Sequence, residues 1–92
     1  MIVRIAGEGQ FEVSDDVVTQ LNELDNRAVS AVEAGDVAGF EDVFRQMIQL
    51  IESDGSPLPD DSLAASDVIV PPRDITFDEA RAEFTGEGLI PD

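Results

Sequence analysis

Apolar and polar residues alternate with a period of two at the start of the chain and switch to a helical period soon after. Val3 and Ile5 alternate with Ile2 and Arg4, and Phe11 and Val13 with Gln10 and Glu12. That is the pattern of strands with one buried face. The connection Ala6-Gly7-Glu8-Gly9 carries two glycines for the positive-φ positions of a tight turn. Residues 1–13 are therefore expected to form a β-hairpin, with Arg4 on its polar face pairing a nearby acid such as Glu12.

Val17, Leu21, Leu24, Ala28 and Val32 then recur at helical spacing. Ser14 is placed to cap this helix, and Asp15 and Asp16 suit the positive end of its dipole. Gly35 supplies a left-handed stop, and Asp36 caps a second helix at once. Val37, Phe40, Phe44, Met47, Ile48 and Ile51 form its apolar stripe, which ends near Ser53-Asp54-Gly55. So short a connection makes the two helices antiparallel. A sustained coiled coil is the competing arrangement, but each helix is too short to hold about three heptads.

From Ser56 the pattern breaks. Ser56-Pro57-Leu58-Pro59-Asp60-Asp61-Ser62 reads as an extended or turning loop, since its prolines exclude helix interior. Asp67-Val68-Ile69-Val70 is a β-branched run stopped by Pro71-Pro72, a third strand at a sheet edge. Thr76 and Glu79 match a capping box opening a helix to about Phe84. Gly86-Glu87-Gly88 ends that helix, and Leu89-Ile90-Pro91-Asp92 follows as an apolar tail. The order ββααβα predicts an α+β fold, a small sheet covered by a helical hairpin. One domain, 1–92, is expected, made of a β-hairpin (1–13), a helical hairpin (14–54), a proline-rich loop (55–66) and a strand, helix and tail (67–92).

Composition changes the picture in two ways. Apolar residues make up 42% of the chain, with five Phe and neither Tyr nor Trp, so aliphatic packing must supply most of a modest core. Cysteine is absent, which excludes disulfides and thiolate metal sites. The start of the chain lacks the apolar run of a signal peptide, and no stretch is apolar enough to span a membrane. A cytoplasmic location is expected.

Charge is the more unusual property. Twenty-one Asp and Glu face five basic residues, all of them Arg, for a net charge of −16. Nucleic acid and anionic lipid reward a cationic surface and are opposed as direct partners. Either the acidic surface serves a basic partner, or the whole chain is adapted to molar intracellular salt, where charges are screened beyond about 3 Å. The even spread of acids and the absence of Lys favour the second.

The side-chain inventory excludes most catalysis. Without His, Cys, Lys or Tyr there is no general base near neutral pH, no thiolate and no Schiff-base amine. Asp15-Asp16 is better explained as a helix start, and Asp60-Asp61 as a solvated loop, than as a carboxylate dyad. No EF-hand, Walker or dinucleotide motif occurs, so no enzyme activity, cofactor or metal is expected. Two segments are candidate interaction surfaces. Pro57, Leu58 and Pro59 form a stiff loop that more simply connects two elements, with Leu58 pinned to the core. Leu89, Ile90 and Pro91 form an apolar terminus that docks on its own domain or on a partner.

The stretches Met1–Val13, Ala31–Asp36, Pro57–Asp61, Ser66–Pro72 and Gly88–Pro91 resemble, in order, the phage-shock-protein-A-associated domain family, PspAA, in its haloarchaeal form. The resemblance implies a small accessory, without known catalytic residues, of phage shock protein A, the coiled-coil membrane-remodelling protein of the envelope-stress response, or of an associated regulator. It would be recruited to the inner face of the membrane through that partner, without inserting. The alternative is a small regulatory or ligand-binding domain unrelated to envelope stress.

Folding is expected to depend on salt. Sixteen net negative charges on a domain of about 13 Å radius of gyration repel strongly at low ionic strength. Far-UV circular dichroism should show partial or full unfolding in dilute buffer and recovery in molar KCl. An unchanged melt between the two would contradict the salt-adaptation argument.

Overall fold

A computed structural model describes residues 1–59, 61–85 and 88–90. In chain order the elements are β1 (Ile2–Ile5), β2 (Gly9–Glu12), α1 (Asp15–Ala34), α2 (Val37–Asp54), β3 (Ser56–Pro57), β4 (Val68–Val70) and α3 (Phe77–Glu83). The expected α+β class and the order of its main elements are borne out.

The helix ends form where local chemistry favours them. Ser14 Oγ accepts from the Val17 amide, and Asp36 Oδ1 from the Gly39 amide. Each satisfies one of the donors that an α-helix leaves unpaired at its start. Gly35 stops α1 at φ 71°, and its amide and that of Asp36 reach back to the carbonyls of Val32 and Ala31. The chain thus reverses in two residues. At α3, Thr76 Oγ1 accepts from the Glu79 amide while Glu79 Oε1 accepts from the Thr76 amide, a complete capping box.

The strands make one sheet in the order β3-β2-β1-β4. β1 and β2 pair antiparallel, Val3 opposite Phe11 and Arg4 opposite Gln10. β4 runs parallel to β1, Arg4 opposite Ile69. Two features differ from expectation. Ser56 and Pro57, read as loop, pair with Glu12 and Phe11 as an added edge strand. The pairing is short because Pro57 has no amide to donate. Glu12 stands opposite Ile2 rather than Arg4, and Arg4 donates to Ser66 Oγ at 3.4 Å instead.

Alternation along the strands sends Val3, Ile5, Val68 and Val70 to one face. They share a continuous core with Leu21 and Ala28 of α1 and Phe40, Met47 and Ile51 of α2. Phe40 is its aromatic centre. Its ring stacks on Phe44 at 5.6 Å and meets Phe77 and Phe84 edge-on at 5.9 and 5.2 Å. Such geometry suits the ring quadrupoles and ties α2 to α3.

Phe44 is 5% exposed and also meets the Phe84 ring at 5.9 Å. Phe44→Ala should therefore cost about 3–5 kcal/mol in chemical denaturation. A near-silent substitution would mean that the ring is not packed as described.

Candidate functional site

The middle of α1 carries a charge where its apolar stripe should continue. Asp25 falls in register with Leu21, Ala28 and Val32, and it is fully buried. An unpaired carboxylate there would be costly. Its Oδ1 accepts from the Leu89 amide at 3.0 Å and its Oδ2 from the Ile90 amide at 2.8 Å. Charge-assisted bonds of this kind are the strong class. Gly88 precedes them at φ 82°, and a Cβ there would lie 2.6 Å from Asp25 Oδ2. Only glycine lets the backbone come so close. The clasp holds Ile90 at 3% exposure against the core, with Leu89 half-buried beside it.

Of the candidate tail residues, then, Leu89 and Ile90 sit on this chain's own core, and Pro91 lies outside the described residues. The other candidate segment continues the edge strand β3 beside β2. Pro57 and Pro59 are exposed, while Leu58 is half-buried and donates its amide to the Gln10 carbonyl. Gln10 is itself buried, because Ala64 and Ser66 lie over its side chain. Gln10 Nε2 donates to the Ala64 carbonyl and to Ser66 Oγ. The sequence hid both anchors. Asp25 signalled itself only as a charge on an apolar stripe, and Gln10 stood on a face that alternation marks as solvent.

A groove of about 480 Å³ lies between α2 and the segment 73–75, lined by Phe40, Phe44, Ile48 and Ile75 with Arg45 and Arg73. Both guanidinium groups have carboxylate partners. Arg45 meets Asp42, and Arg73 reaches from its loop to Glu8 of the β1–β2 turn and Glu52 of α2. The hydrogen bond from Arg73 lowers the Glu8 carboxyl below its ordinary range. A depressed carboxyl contributes stability above its unfolded value, and the contribution fades as pH falls through the folded one. On so exposed a pair the contribution is small. Two carboxylates, Glu41 and Asp74, also line the groove. Among the described residues, no group of three or more acidic side chains is arranged to hold a metal, and no helix is long and apolar enough to cross a membrane.

One family model, described as PspAA, PspA-associated protein, matches residues 1–92. No curated protein and no solved structure matches the chain.

Breaking the clasp should loosen the C-terminal segment specifically. Asp25→Ala leaves two amides without their acceptor and should cost about 2–4 kcal/mol. Gly88→Ala should destabilise in the same direction, and both should speed hydrogen exchange at Leu89 and Ile90. Wild-type protection at those amides in both variants would show that the clasp does not hold the segment.

Proposed function

Because the chain belongs to the PspA-associated protein family, we propose that it is a non-catalytic interaction module that acts on phage shock protein A or an associated regulator in the envelope-stress response. The family match along the whole chain carries this conclusion. The side-chain inventory supports it, since a chain without His, Cys, Lys or Tyr has little but binding to offer.

The module works in the cytoplasm and reaches the inner face of the membrane through its partner. A net charge of −16 gives it no attraction to anionic headgroups or nucleic acid. The amphipathic faces of α1 and α2 are spent on the core, so neither lies free to enter a bilayer. Within the module, Leu89 and Ile90 close the fold. The Pro57–Pro59 segment, at the β2 edge of the sheet, is part of the contact surface.

Co-purification from native extract in molar salt should enrich phage shock protein A or its regulator, and vesicle flotation of the pure protein should fail. Extract from cells lacking the partner should give no membrane-associated fraction. Absence of enrichment would overturn the partner assignment, and flotation of the pure protein would overturn the indirect route to the membrane.

A further inference from the structure

Each long helix carries a second line of residues besides the stripe that faces the sheet. On α1 it runs Gln20, Leu24, Arg27, Ala31, Ala34, and on α2 Gly39, Val43, Gln46, Leu50, Ser53. Both lines step alternately by four and three residues, the spacing with which one helix packs along another. The two lines border one seam between the helices, along which clefts of about 380 and 540 Å³ lie in succession.

The chemistry of this seam departs from the rest of the surface. In a chain holding 21 acids among 92 residues, none of those ten positions carries an acid. Three of the chain's four glutamines line the seam. Depletion of charge at the centre of a patch is what distinguishes interfaces from other surface. Ala31, Ala34 and Gly39 keep the turn end low, so a facing helix can come close. Of the acids along the margins, Asp36 accepts from the Gly39 amide, and Asp42 from Arg45 and Gln46. That leaves Glu23 and Arg27, one turn apart on α1 and both exposed. Among the described residues neither takes part in an ion pair.

A second copy supplies what this face is missing. Laid antiparallel on its own copy about a twofold axis level with Asp25, α1 sets Glu23 opposite the other copy's Arg27. The same register sets Arg27 opposite the other copy's Glu23, as a self-complementary interface requires. Gln46 lies as far beyond the α1–α2 turn as Asp25 lies before it, so this axis also sets Gln46 against Gln46. Two carboxamides facing each other can each donate and accept. A net charge of −16 opposes self-association over most of the surface. At the seam no line of acids stands in the way, and in molar salt charges elsewhere are screened beyond about 3 Å.

We propose that this chain forms a homodimer in molar salt, in which two helical hairpins pack seam to seam as a four-helix bundle held in register by reciprocal Glu23–Arg27 pairs. With α1 about 30 Å long and the two helices about 10 Å apart, the face offers about 600 Å² per copy. That is at the low end of specific interfaces, so the dimer is weak and forms as concentration rises. Pro57–Pro59 lines neither cleft, so the contact surface assigned to the partner stays free.

Light scattering in molar KCl at increasing protein concentration tests this. The wild type should pass from monomer to dimer. Arg27→Glu and Glu23→Arg should each weaken the dimer about tenfold, with an unchanged melt, by setting like charges face to face. The double variant Glu23→Arg/Arg27→Glu exchanges the charges and should restore it. Because the chain has no cysteine, Gln46→Cys should give a disulfide-linked dimer under mild oxidation, and Glu12→Cys, exposed on the sheet, should not. A monomer at every concentration would overturn the proposal. So would a dimer indifferent to both single reversals, one that the double variant does not restore, no linkage through position 46, or equal linkage through positions 46 and 12.

Discussion

A fully buried carboxylate in a chain that already carries a net charge of −16 is the constraint on which the rest of this structure turns. Asp25 can stay inside only while hydrogen-bond donors reach it. Two of them come from Leu89 and Ile90, 64 and 65 residues away in sequence. Bringing that segment home sets Ile90 into the core and requires glycine at 88. It also fixes the end of the fold against α1, beside the Phe84 ring that α3 delivers to Phe40. The apolar tail is thereby part of the architecture, and the surface left for partners lies elsewhere.

That surface follows from how the sheet is used. The helical hairpin covers one face completely. The other face is too narrow to need a second layer, and the chain lays one proline-stiffened segment across half of it. On the β4 side Ile69 stays 61% exposed.

Much of this could be read along the chain, and the division follows the range of the interactions. Ser14, Gly35, Asp36 and the Thr76–Glu79 box act within three or four residues, so composition at those positions decides the structure there. The β-hairpin was equally legible because a short turn limits which strands can pair. Strand β3 was not, since Ser56-Pro57 has no periodicity and pairs only because the end of α2 delivers it beside Phe11. The parallel pairing of β4 depends on the path of the long 58–66 segment. Arg4 and Glu12 lie on one polar face, yet register sets them on different rungs. The buried roles of Asp25 and Gln10 depend on segments more than fifty residues away, which no local pattern encodes.

Binding is the proposed function of this chain, through a surface that leaves the Leu89–Ile90 segment on its own core. Hydrogen exchange on the purified protein, with and without phage shock protein A in molar KCl, tests that most directly. New protection at the β2–β3 edge, with Leu89 and Ile90 equally protected in both states, is the predicted result. Protection confined to the helical hairpin, or no difference on adding the partner, would contradict it.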